Sequence, residues 1–445
     1  MTQVGESVKP GVITPKPPKQ PKALAVALLS ITFDSGIKLF EVVKGGGENE
    51  LPPAGTPHWK SKNIYPAVYV REGGKGETKD LVVQAQWAQQ GLDGSAKLKG
   101  STRDGSIVIE GDFSISGARG KADVSCTFTK RPDKVTNLGG GVPLRWQVTA
   151  GGTTVDCAGG SPVRLFFVDA KPLPIGWPGS FGYKAHYLRV VDWATRWAAG
   201  KAGEKDVLAA LWSKFSDGKG AQVPHVTGFA YWKSNDPVQD LKTLVSPDSR
   251  VYQRGWSCRA IAHTFMECLA LNGIQCTEVV PEAPADALMF LVQNWDVAAT
   301  PLPNWNVRTD LYYAGTWLPS KSPPLNKPIG TSLTQDHGPS KTLPKLKVDM
   351  RKRAGVPAQG QPLAPLGFSN HWIVLVGGKL YDTSYGGMHA NSMTTYATAS
   401  LAGWLVGTLA DTTVKTGWLK KEQSRAWLAH EVGGHSLDRS DGASN

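Results

Sequence analysis

The chain has 445 residues, of which 40% are apolar and 19% charged, enough for ordinary cores and too balanced for wholesale disorder. At roughly 100–200 residues per domain, this length predicts about two to four domains. No run of about 18 apolar residues occurs, so no membrane-spanning helix is expected, and the net charge of +12 permits an anionic partner without choosing nucleic acid, membrane or wall polymer.

The first 22 residues are rich in Pro, Lys and Gly and read as a flexible tail. The apolar run 23–33 follows basic residues, as the core of a secretory signal does. A long proline-rich segment precedes it, however, and no A-x-A cleavage site follows. It is therefore predicted as a first β-strand that continues through Ile37–Val43. Segments 81–87, 106–116, 122–128, 144–150 and 163–170 combine β-branched or aromatic residues with partial alternation, and Gly, Asn and Asp clusters separate them. The prediction for 23–172 is a β-sandwich-like all-β domain. It carries no catalytic constellation, so its expected role is binding, presentation or support.

Composition shifts after Pro172. Apolar residues at helical spacing predict helices over 184–199, 203–215 and 258–271, and 287–293 and 372–376 read as strands. The expected fold class is α+β, with a catalytic domain over 173–435. Residues 298–367 are proline-rich and too long for an ordinary loop, so they read as an insertion or a lid. Residues 436–445 read as a C-terminal tail.

The chemistry concentrates in 254–274. Cys258 directly follows a Gly-Trp-Ser turn, and Ile261, Ala262, Phe265, Cys268 and Leu269 then recur at helical spacing. Gly273 is placed to end the helix. A thiolate at such a helix N-terminus is stabilised by the dipole and by N–H groups that also suit a developing oxyanion. A thiolate nucleophile needs a base. His371 stands just before the strand 372–376, and Gly377–Gly378 then form a two-residue hairpin turn. The register from that turn pairs Val376 with Lys379, Leu375 with Leu380 and Val374 with Tyr381, and sets Asp382 opposite Ile373. His371 and Asp382 thus become diagonal neighbours on one sheet face. A carboxylate there orients the imidazole and fixes its tautomer.

These residues resemble the transglutaminase-like branch of the papain-like cysteine enzymes. The similarity rests on Cys258 entered through Gly-Trp-Ser, a helix ending Ala-Leu-Asn-Gly-Ile at 270–274, His371 on a strand and Asp382 on the next. It spans about 175–400. The resemblance implies Cys258 as nucleophile, His371 as general base and Asp382 as orienting carboxylate. The Cys-to-His gap is longer than is usual for the family and the His-to-Asp gap shorter, which the insertion and the Gly-Gly turn would explain. Gln253 is similar to the papain-type oxyanion Gln, and Trp256 or Trp232 to the indole donor of some transglutaminases; all three stay open as oxyanion candidates.

The implied activity is acyl transfer through a thioester on Cys258, ending in amide hydrolysis, amine transfer or glutamine deamidation. The rivals are an inactive transglutaminase-like binding or structural protein and a charge-driven wall- or nucleic-acid-binding protein. No cofactor and no metal are expected. His430-Glu431-Val432-Gly433-Gly434-His435 has one residue too many for a zinc helix, and two Gly interrupt it. The chain has five Cys but no C-x-x-C; Cys126 and Cys157 could bridge if the compartment is oxidising, and their state stays open. The layout also resembles bacterial effectors and toxins. That implies a protein or peptide substrate, peptidoglycan peptide included. It further implies secretion machinery, a cognate inhibitor, and residence in the bacterial cytoplasm before export or delivery into another cell. No specific nucleic acid is expected as a partner.

Overall fold

The computed structural model describes residues 23–76, 81–90, 92–158, 160–173, 185–216, 231, 237, 239–247, 255–282, 289–292, 308–312, 356–358, 361–364, 367–368, 371–390, 396, 401–407 and 427–431. The tails at 1–22 and 436–445, most of 298–367, Gln253, Trp232 and His435 lie outside them. The fold is α+β with strand predominating. Among the described residues no helix is long and apolar enough to cross a membrane.

Alternation builds the β-rich half. In Leu81–Gln90 every second residue from Leu81 is buried. Eleven strands between Ala23 and Val168 join in one hydrogen-bonded sheet. Neighbours pair antiparallel, except Pro66–Val70 and Ser161–Val168, which run parallel. The expected sandwich takes the form of this single sheet curled over its own core. Phe33 and Phe128, from strands far from Pro66–Val70 in the sheet order, both pack edge-on against Tyr69, with ring centroids 6.0 and 4.7 Å away. One expectation is corrected here. The first strand ends at Phe33 and does not continue through Ile37–Val43. Gly36, at φ +66°, turns the chain, and Lys38–Val42 joins a separate three-stranded sheet between Ala185–Tyr187 and Glu48–Leu51.

Among the described residues four helices follow: α1 (Leu188–Trp197), α2 (Glu204–Trp212), α3 (Leu241–Leu244) and α4 (Cys258–Leu271). Pro66–Val70 and Ser161–Val168 are nearly continuous apolar runs because both their faces are covered. Tyr69, Leu165 and Phe167 belong to the core inside the curled sheet. Val68, Phe166 and Val168 belong to a second core with Trp193 of α1 and Ile261, Phe265 and Leu269 of α4. The sheet and the helices thus share apolar burial.

A polar seam runs beside that contact. Asp169 Oδ1 accepts from Arg71 Nε at 2.6 Å and from the Gly203 N–H at 2.7 Å. The Asp169 N–H donates to Asn272 Oδ1 at 3.1 Å, and the Leu173 N–H to the Ala270 carbonyl at 2.9 Å. The end of the last sheet strand is thereby fixed to the C-terminus of α4.

Candidate active site

Local sequence defines both ends of α4. Ser257 is the N-cap, and its Oγ accepts from the Ala260 N–H at 3.2 Å. Cys258 is therefore the first helical residue, where backbone N–H groups have no intrahelical acceptor. At the other end Gly273, at φ +74°, follows the C-cap Asn272. The Ile274 N–H reaches the Leu269 carbonyl and the Gly273 N–H that of Ala270, which is a Schellman ending. Arg259 is the one residue of α4 that is not buried.

The chain then enters Thr277–Glu282, part of a five-stranded sheet. Its order is Arg308–Tyr312, Thr277–Glu282, Ile373–Val376, Lys379–Asp382 and Gly387–Ala390. His263 Nε2 of α4 meets Glu278 Oε1 at 2.7 Å, inside the protein. That contact ties the Cys helix to the strand that pairs with Ile373–Val376. Gly377 and Gly378 take φ +53° and +77°, the positive values that a tight two-residue hairpin requires. Val376 pairs with Lys379, Leu375 with Leu380 and Val374 with Tyr381, the register counted from the turn.

Those elements bring Cys258, His371 and Asp382 together. His371 Nε2 lies 3.0 Å from Asp382 Oδ2, and Cys258 is close enough to the imidazole for its charge to act on it. With Nε2 committed to the carboxylate, Nδ1 is the nitrogen that the imidazole offers the thiol. Asp382 is held by its own turn: Oδ1 accepts from the Ser384 and Tyr385 N–H groups at 3.0 and 3.1 Å. Tyr396 adds a phenol 3.0 Å from Oδ2.

Electrostatics favour charge separation along this line. Burial alone would push His371 down, but Asp382 and Cys258 more than reverse it and raise the imidazolium to about 10. Burial would push Asp382 up, yet His371, the Tyr385 N–H and the Tyr396 phenol hold it below the usual carboxylate range. Burial keeps Tyr231, Tyr385 and Tyr396 protonated, well above the ordinary phenol range.

Tyr231 and Tyr385 flank the imidazole, with ring centroids 6.4 and 5.5 Å from that of His371. Their hydroxyls are hydrogen-bonded to each other. Tyr231 also forms a parallel β-bridge with Trp256, two residues before Cys258. Of the oxyanion candidates, Trp256 is buried in the core shared by sheet and helices, whereas Gln253 and Trp232 fall outside the described residues. Tyr231, Tyr385 and Tyr396 were not expected from the sequence. Tyr385 had a signal, the turn that must follow a hairpin strand ending in Asp382; the other two reach the site only through tertiary contact.

His430 and Glu431 lie on a strand, Trp427–Glu431, not a helix. Among the described residues no group of three or more His, Cys, Asp or Glu gathers to hold a metal ion. All five cysteines are free thiols, Cys126 and Cys157 included. Burial raises the Cys157 thiol to about 12, with Asp156 adding to the effect, and raises Cys268 and Cys276 as well.

No family model matches the chain, and the comparison with curated proteins gives no match either.

Proposed function

We propose that the chain is a cysteine-dependent acyl-transfer enzyme with a transglutaminase-like catalytic half. The observation that carries this reading is one buried imidazole hydrogen-bonded to a buried carboxylate and electrostatically coupled to a helix-N-terminal thiol. His371 Nδ1 takes the Cys258 thiol proton as the sulfur attacks an amide carbonyl carbon, and the C=O electron pair moves to oxygen. The N–H groups opening α4 receive that oxyanion. The C–N bond then breaks as His371 gives its proton to the departing amine, leaving a thioester on Cys258. Asp382 holds the imidazolium between the two transfers. Attack by water completes hydrolysis or deamidation, and attack by a lysine amine completes crosslinking.

The substrate on this reading is a peptide, isopeptide or glutamine amide, and the resemblance to bacterial effectors is the reason to test wall peptides. The test incubates wild type and Cys258→Ala with glutamine-containing proteins plus a labelled amine, and with wall peptides, read by mass spectrometry. The expected product is label at Gln, a Gln-to-Glu mass shift or a cleaved amide, and it disappears in the variant. A product that survives Cys258→Ala would sink the thiol mechanism.

One observation favours a second reading, an inactive scaffold that keeps the three residues as a polar core. Cys258 is 3% exposed, and His371 and Asp382 are 0% exposed. Reactivity of the thiol separates the two.

A further inference from the structure

We propose that Tyr396 is a positioning residue of this site: its phenol shares Oδ2 of Asp382 with His371 and sets how firmly the carboxylate holds the imidazolium. The inference rests on the thiol reading above.

A carboxylate offers about four acceptor positions. In Asp382 all are used: Oδ1 by the Ser384 and Tyr385 N–H groups, Oδ2 by His371 Nε2 and the Tyr396 hydroxyl. Tyr396 is 1% exposed, so its phenol has no bulk water to prefer over the carboxylate. Its ring is fixed among Val279, Ile373, Leu380 and Leu375, with His389 edge-on at 5.5 Å. The titratable groups facing Asp382 are His371, His389, Tyr385 and Tyr396, with Cys258 and Tyr231 beyond them. Of these, His371 and Tyr396 donate to the same oxygen, so each weakens the other's bond. Burial pushes His389 down against the pull of Asp382, which leaves it neutral and unable to replace the phenol as a charged partner.

The sign follows. Without the phenol, Oδ2 keeps more negative charge and grips the His371 proton harder. The thiolate–imidazolium pair then persists to higher pH.

The experiment measures iodoacetamide alkylation of Cys258 against pH in the full chain, read by peptide mass spectrometry. For Tyr396→Phe the upper limb, where His371 loses its proton and the thiolate is freed from its pairing, is expected to move up by roughly 0.5–1 pH unit, the scale of one charge-assisted hydrogen bond partly relayed. Fluorotyrosine placed at position 396 keeps every contact and donates more strongly, so it moves that limb down. Cys268 and Cys276 report folding, because they stay protected only in the packed core. A merely structural role changes the rate by one factor at every pH; an unmoved limb in both variants overturns the proposal. His371→Asn is the separate control. A wild-type limb that His371→Asn leaves unmoved sinks the thiol reading itself. One that His371→Asn moves and the Tyr396 variants do not sinks only the role of Tyr396.

Discussion

Asp382→Asn is expected to lower turnover by about 10⁴-fold while leaving Cys258 and α4 in place. The reason is the direction of each hydrogen bond. The Ser384 and Tyr385 backbone groups can only donate, so they select the amide oxygen of the new side chain. Its NH₂ must then face His371 Nε2 and the Tyr396 hydroxyl. Facing a donor, Nε2 becomes the acceptor, and the proton of the neutral imidazole moves to Nδ1. That nitrogen can no longer take the thiol proton. Turnover on whichever amide the substrate panel identifies, beside an unfolding curve, checks this. Activity within tenfold of wild type would show that the carboxylate does not set the tautomer.

Removing residues 1–172 is expected to leave a C-terminal half that does not fold. Leu39, Val42, Val68, Val135, Phe166 and Val168 complete the core around α1 and α4. At about 1.5–3 kcal/mol for each buried side chain, their loss compares with the whole stability of a domain, about 5–15 kcal/mol. The Asp169 bond to Asn272 at the end of α4 disappears as well. The β-rich half is on this account a wall of the catalytic half in addition to any binding role. Residues 173–445 produced alone should lack a cooperative unfolding transition and should label readily at Cys268 and Cys276. A cooperative fragment with protected thiols would refute the shared core.

How much of this was legible depends on the distance over which each feature is determined. The Cys helix was legible at both ends because its stops are local: Ser257 caps and Gly273 supplies a left-handed residue. The hairpin was legible because Gly377 and Gly378 leave few alternatives, and the register of Lys379–Asp382 follows by counting. The strand Gly94–Ser101 was not read. Its buried positions are Ala96, Leu98 and Gly100, too small to make an apolar stripe. Gly100 is small because the Trp146 ring occupies the space of a side chain, 2.6 Å from where a Cβ would stand. The curl of the sheet depends on contacts such as Phe33 against Tyr69, which no local pattern encodes. Tyr396 was missed for the same reason. It lies 14 residues beyond Asp382 and finds the carboxylate through packing alone.

The most direct measurement is the alkylation rate of each of the five cysteines with a small neutral reagent near neutral pH, in wild type and His371→Asn. Cys258 is expected to react at least about tenfold faster than Cys126, Cys157, Cys268 and Cys276, as a thiolate held by an imidazolium should against protonated thiols. The excess should vanish in His371→Asn. Equal, slow labelling of all five cysteines in wild type would contradict the paired thiolate and leave the inactive scaffold standing.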